Sequence, residues 1–317
     1  MQQPPGYYPY SDQSSHNTAV AIGSPTSSVG AASADTFDLG AQMSIADATQ
    51  AFSPSEPPSA TPTTTESAAG SATGSTVVQV AAPQQIDIEA GGGSFEVNGQ
   101  KADIYTLKVP YSQKLSERGT LQLSLPVSIA VYKNVLNPAT FQIVDAKAYG
   151  VGLNAGYAWQ VFTKQDNVPY RCKITPSAGL FYRDSADLRQ GAFVFNSGFS
   201  SSLAWQYSPG WVLNLGNSVS LAWNSGIKGY PDPVRDNQQT LSNGLQIFRM
   251  LGRWTYYGYV IDTEALCDVL VDSYQSYAIG AAYQLTKSRS LRATLNYDQG
   301  NAGYKSLSVK LGTGWQF

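Results

Sequence analysis

Over most of the chain from about residue 100 to the C-terminus, apolar and small polar residues alternate one by one. The last stretch, Gly303–Phe317 (GYKSLSVKLGTGWQF), shows this most clearly. Leu307, Val309, Leu311, Thr313, Trp315 and Phe317 fall on one face of an extended chain. Ser306, Ser308, Lys310, Gly312, Gly314 and Gln316 fall on the other. Strand side chains point to opposite faces with period two, so this is a strand with one apolar and one polar side. Its length is about twice the usual 5–6 residues of strands in globular proteins.

The same pattern recurs upstream. Asn98-Gly99, between two alternating runs, is a hairpin signal. After it, Tyr105, Leu107, Val109 and Tyr111 oppose Thr106 and Lys108. Leu121 to Val131 oppose Thr120, Gln122, Ser124 and Ser128. Tyr149 to Trp159 oppose Gly150, Gly152, Asn154 and Gly156. Tyr170, Cys172, Ile174, Ala178, Leu180 and Tyr182 oppose Arg171, Lys173, Thr175 and Ser177. Phe193, Phe195, Phe199, Leu203 and Trp205 oppose Asn196, Gly198, Ser200 and Ser202. Trp211 to Trp223 oppose Asn214, Gly216, Ser218 and Ser220. Further on, Tyr277 to Leu285 oppose Ala278, Gly280 and Gln284, and Leu291 to Tyr297 oppose Arg292, Thr294 and Asn296.

Most of these runs carry a ring at one or both ends of the apolar face. The polar faces are built of Gly, Ser and Asn, too small and polar to pack as a core. A soluble barrel would turn its apolar set inward. The pattern therefore favours a membrane barrel that shows apolar side chains to lipid and polar ones to its lumen. Only 13% of residues are charged, against roughly 25% in soluble domains. No apolar run reaches the roughly 18 residues that a membrane helix needs.

With its alternating apolar positions and final aromatic, Gly303–Phe317 resembles the closing strand of a bacterial outer-membrane β-barrel. The resemblance covers roughly residues 95–317. It implies an all-β, antiparallel transmembrane barrel in the bacterial outer membrane, embedded in lipid bilayer and lipopolysaccharide. It also implies insertion by the barrel assembly machinery, with Phe317, Trp315, Leu311 and Val309 as the assembly signal. Nucleic acid is not an expected partner, and the oligomeric state stays open.

Residues 1–83 are rich in Ser, Thr, Ala, Gly, Pro and Gln, as in ATPTTTESAAGSATGST (60–76). Such a segment buries too little apolar surface to offset its ordering entropy. The expected division is a disordered acidic tail over 1–83, with a short helix over 41–52, and a barrel over 84–317. Residues 1–100 hold nine acidic residues and no Lys or Arg, so all twenty basic residues lie in the remainder. Met1–Tyr10 lacks the basic start and apolar core of a secretory signal. For a barrel, that implies numbering that starts after a removed signal, or a replaced start.

Residues 225–275 are the hardest to read. The polar, turn-rich stretch 225–244 predicts a long surface loop. Leu245–Ile261 and Ala265–Val271 read as two strands, or as one strand followed by a loop helix. The ends of a single-chain barrel usually meet on the periplasmic side, which favours an even strand count. Two strands in this patch and a short first strand near 92–97 make twelve, with ten as the alternative. Short links at 163–169, 207–210 and 286–290 fall on the periplasmic side in this reading, and stretches at 133–145, 183–190, 225–244 and 298–303 fall outside. Pro110, Pro126 and Pro176 lie inside these strands, where each removes a ladder hydrogen bond. Bulges or displaced strand ends are expected there.

Little in the sequence points to catalysis. The only histidine, His16, lies in the tail, whereas the omptin proteases and the lipid A deacylases and palmitoyl transferases of the resembled superfamily work through a histidine on the barrel. Cys172 and Cys267 have no metal-site spacing; a disulfide between them and an inert thiol at Cys172 both stay open. No enzyme, metal or cofactor is expected. What remains is electrostatic: the strand register sends Lys108, Arg171, Lys173, Arg292 and Lys310 into the lumen. Charges of one sign lining a pore bias which ions pass. Three functions fit. One is a porin-like channel favouring anions, or a basic lumen holding an acidic segment such as 84–100. Another is an autotransporter-like translocator or surface anchor for the N-terminal segment. The third is a structural or adhesive barrel acting through its outer loops. Against all of these stands a lumen whose basic residues pair with acids such as Asp262 or Asp298 and only stabilise the wall.

Overall fold

The computed structural model describes residues 84–317, apart from 98, 137–141, 163–169, 187–189, 225–237, 267–270 and 287. Residues 1–83, with the expected disorder and the helix over 41–52, lie outside the described residues.

Twelve strands form one closed barrel: β1 (Gln84–Val97), β2 (Gln100–Lys114), β3 (Gly119–Leu136), β4 (Ile143–Gln160), β5 (Tyr170–Ser185), β6 (Gln190–Ser208), β7 (Trp211–Asn224), β8 (Gln238–Leu251), β9 (Trp254–Ala265), β10 (Ser273–Thr286), β11 (Arg289–Gly300) and β12 (Lys305–Gln316). Each strand pairs antiparallel with its sequence neighbours, and β1 pairs with β12 to close the ring. Backbone bonds between Gln84 and Phe317, 3.2 and 2.8 Å long, finish that seam. Both ends of the barrel chain therefore lie at one end of the barrel, called here the terminal end. Two-residue turns at 209–210 and 252–253 share it, as do the end of β10 and the start of β11, whereas β7 ends and β8 begins at the far end.

The faces are inverted relative to a soluble protein. Outward residues such as Leu311 (59%) and Ile279 (67%) are exposed, while inward Ser124, Asn154, Ser200 and Asn296 are buried. Outward rings gather in two girdles. The terminal-end girdle includes Trp159, Trp205, Tyr207, Trp211, Trp254, Tyr256, Tyr283 and Trp315. The far-end girdle includes Tyr149, Tyr182, Phe193, Phe195, Trp223 and Tyr277. Rings within each touch, as in Trp254–Tyr283 (4.8 Å) and Tyr182–Phe193 (4.8 Å). An apolar band between two aromatic belts matches a bilayer's hydrocarbon core and its two interfaces.

Five expectations need correction. The first strand is not a short piece near 92–97 but spans Gln84–Val97. Ile86, Ile88 and Ala90 face out and Asp87 and Glu89 face in, so the acids disguised an ordinary alternating strand. Gln84–Val97 are thus part of the wall, so the acidic segment expected over 84–100 is not held inside it. Within the loop expected at 225–244, residues 238–244 belong to β8, where Thr240 and Ser242 face inward and Leu241 outward. The next strands divide at Gly252 (φ +58°), giving β8 and β9 in place of the Leu245–Ile261 and Ala265–Val271 boundaries.

The prolines cause neither bulges nor displaced ends. Pairing of β3 with β4 stops at Ser124↔Asn154 and resumes at Val127↔Val151 in the same register, skipping Pro126. Pro176 is skipped likewise between β4 and β5, and Pro110 between β1 and β2. Each keeps its pairing on the other side, Pro176 with Phe199 and Pro110 with Ser124. A residue that lacks an N–H loses one bond, and the long flanking ladders hold the register. The register does shift at Tyr132/Val135, Gln206/Ser208 and Gln284/Thr286, all near strand ends.

Candidate functional site: the barrel lumen

On one side of the lumen, β3 to β7 contribute small side chains at mid-height: Ser124, Asn154, Gly156, Thr175, Ser177, Asn196, Ser200, Asn214 and Ser218. Their hydroxyls and amides bond to the wall and to one another. Asn154 donates to Ser124 Oγ (3.5 Å), and Ser200 donates to the Thr175 carbonyl (3.4 Å). The hydroxyl of Thr175 and the Oδ1 of Asn196 are buried without a hydrogen-bond partner. Near the two ends of this side β5 adds charge, with Arg171 and Lys173 toward the terminal end and Arg183 toward the far end.

The other side, β8 round to β2, sends in long side chains. Tyr257 and Tyr259 on β9 lie across β10 to reach β11. The Tyr257 hydroxyl bonds Thr294, and Tyr259 donates to Asn296 Oδ1 (2.5 Å). Asn296 continues to Ser308 on β12 (3.4 Å). Phe248 and Val212 pack with Ala204, Met250 and Tyr257 in an apolar cluster toward the terminal end.

At the closing seam, Arg292 on β11 reaches over β12 to β1. It donates to Glu89 Oε2 at 2.8 Å and lies 3.7 Å from Asp87 Oδ2. The strand it crosses carries Gly312, where a Cβ would collide with the Arg292 side chain, and Gly314, where a Cβ would collide with Asp87. The ion pair exists because β12 leaves room for it. Lys108 stands opposite Glu89 on β2, and Lys310 lies on β12 between Gly91 and Thr294. Asp298, inward on β11, accepts from the Tyr304 hydroxyl (3.4 Å), with Ser276 and Ser306 also beside it. Asp262, the other acid considered for pairing, faces outward on β9.

Lys108, Arg171, Lys173, Arg292 and Lys310 thus all project into the lumen, but at two places. Lys108, Arg292 and Lys310 gather with Asp87 and Glu89 at the seam, and Arg171 and Lys173 stand apart on β5. The sequence reading missed Asp87 and Glu89, whose alternation with Ile86 and Ile88 could have revealed them. It also missed Arg183, one step beyond the alternation followed on β5. The inward rings Phe181, Phe248, Tyr257 and Tyr259 had no comparable signal. Of the closing-strand residues, Val309 and Leu311 face lipid, Trp315 joins the terminal-end girdle, and Phe317 is exposed beside Gln84. Cys172 is a free thiol on the outward face of β5. The disulfide left open in the sequence is therefore not formed; Cys267 lies outside the described residues, as does the 225–237 part of the loop expected over 225–244. Among the described residues no cluster of His, Cys, Asp or Glu could hold a metal ion.

A closed antiparallel barrel of twelve strands, apolar outside, polar inside and belted by rings at both ends, has the fold of a transmembrane β-barrel. Solved structures with the same fold include the translocator domain of the autotransporter NalP from Neisseria meningitidis. That likeness has a TM-score of 0.57 and 14% identity, and covers 74% of this chain and 88% of that one. The β domain of the Bordetella autotransporter BrkA is similar at TM-score 0.56 and 13% identity, over 74% of this chain and all of that one. An outer-membrane channel from Pseudomonas putida F1 follows at TM-score 0.51 and 12% identity, over 75% and 96%. No family model and no curated protein sequence matches the chain.

Proposed function

We propose that the barrel is a channel for small solutes that favours anions, with its pathway along the β3–β7 side of the lumen. One observation carries this reading. The described inward face of β3 to β7 holds three basic side chains, Arg171, Lys173 and Arg183, and no acidic one, while its middle is lined by Ser, Asn and Gly. A positive wall of low dielectric raises the local concentration of anions. At the seam, by contrast, Asp87, Glu89 and Asp298 offset Lys108, Arg292 and Lys310. Catalysis has no place in this proposal, because no histidine lies on the barrel. Lipopolysaccharide and the barrel assembly machinery remain proposed partners, with Val309, Leu311, Trp315 and Phe317 as the proposed assembly signal.

The test is current through the refolded protein in a planar bilayer with a salt gradient. A steady current whose reversal potential has the sign of anion preference supports the channel. Absence of current from both the full chain and a chain starting at Gln84 overturns it.

A second reading, an autotransporter-like translocator or anchor, is supported by the position of β1. Its first residue lies at the terminal end, so the 83 preceding residues reach the barrel at the mouth where the seam closes. Current that flows only once residues 1–83 are removed favours this reading.

A further inference from the structure

The two rims of the barrel carry different charges. At the far end, outward Lys101, Lys133, Lys147 and Lys305 interleave with Glu96, Asp103 and Asp145. Lys101 lies 3.7 Å from Glu96, and Lys133 lies 3.5 Å from Asp103. Farther round that rim stand Asp184, Asp262 and Glu264. At the terminal end the outer face and turns carry Arg118, Arg249, Arg253 and Arg289, and Glu117 is the one acidic side chain among the described residues.

These arginines recur beside tryptophan. Arg249 lies over the Trp211 ring at 4.8 Å and donates to the Pro209 carbonyl at 3.3 Å. Arg253 precedes Trp254, whose ring stacks on Tyr256 and touches Tyr283. Arg289 is the cross-strand partner of Trp315. Arg118 adjoins Gly119, the partner of Trp159, and donates to the Val161 carbonyl at 3.3 Å. Five of the six tryptophans of the chain lie at this end, and Trp223 alone at the other.

We propose that the terminal-end rim is a binding belt for anionic glycerophospholipids, built from arginines set near tryptophans, with one guanidinium–indole stack formed by Arg249 and Trp211. Indole rings settle at the level of lipid headgroups. A guanidinium there offers a planar fork of donors that matches phosphate geometry. Stacked on an indole, as at Arg249, it is oriented before lipid arrives and keeps its outer donors for the headgroup. A compact ammonium would lack both the stacking and the fork, and the lysines of the far rim are interleaved with acids. The occupant is therefore an anionic lipid of the leaflet at the short-turn end, which in barrels of this class faces the periplasm.

The test mixes the full-length protein in detergent with equal amounts of phosphatidylglycerol and phosphatidylethanolamine, and counts the lipids retained by native mass spectrometry. The wild-type protein is expected to retain phosphatidylglycerol preferentially, with the preference falling roughly fivefold for each arginine neutralised. Arg249→Gln, Arg253→Gln and Arg289→Gln combined should abolish it. Lys101→Gln, Lys133→Gln and Lys305→Gln combined should leave it unchanged. If the arginine triple does not fold, Arg253→Gln and Arg289→Gln singly carry the comparison, since both side chains are exposed. Equal retention of the two lipids by the wild-type protein overturns the proposal, as does a loss of preference in the lysine variant equal to that in the arginine variant.

Discussion

The two sides of the lumen share an outer surface and differ within. From β3 to β7 the middle of the inner wall is Ser, Asn, Thr and Gly, with charge only toward the ends. From β8 round to β2 it is Tyr, Phe, Arg and Lys, tied together by hydrogen bonds and the Arg292 ion pair. On the outside, strands of both sides repeat one apolar alternation, because lipid makes the same demand at every point of the ring. Inside no such demand exists, so one side can serve as a brace and leave the other as a path.

Gly312→Val should break the braced side most severely. The added side chain would drive Arg292 off Glu89, with an expected cost of about 3 kcal/mol from stranded charges and lost packing. Urea unfolding from lipid vesicles would measure it. Ser218→Val on the path side should cost under about 1 kcal/mol by the same assay. An effect smaller than that of Gly312→Val is expected from Asp87→Asn with Glu89→Gln. Because Arg292 is partly exposed, the loss should be about 1–2 kcal/mol, and the reversal potential should move toward stronger anion preference as the lumen loses two negative charges. Tyr257→Phe should cost about 1 kcal/mol for the lost bond to Thr294 and leave selectivity unchanged. Least costly to stability, below about 0.5 kcal/mol, should be Arg171→Gln, Lys173→Gln and Arg183→Gln combined. Their effect should instead be a shift of reversal potential toward cations. If that triple leaves selectivity unchanged while Lys108→Gln with Lys310→Gln shifts it, the path and brace assignments are reversed.

What sequence made legible follows the same division. The outer face was readable because Leu, Val and aromatic residues recur every second position, and that recurrence gave the register of most strands and placed all five expected basic residues inward. The inner face was readable only in part. Asp87 and Glu89 looked like the end of an acidic tail because charge masked the apolar partners Ile86 and Ile88. The pairing of Arg292 with them joins residues about 200 positions apart, and it depends on β12 lying between them with glycine at 312. No local pattern encodes that. The prolines misled for a related reason: composition marks a broken bond, but the neighbouring strands decide whether the register survives.

Phe181 lies over Gly152, Tyr257 over Gly280 and Arg292 over Gly312, each in the space that a Cβ would fill. These side chains run tangentially along the wall and do not point down the radius. Bore and side-chain size are thereby uncoupled, and a large residue takes up little cross-section as long as the next strand offers bare backbone beneath it. The caliber of the barrel is then set less by the bulky residues than by the glycines under them. A methyl group added at one of these positions turns the ring or guanidinium above it from lining into obstruction.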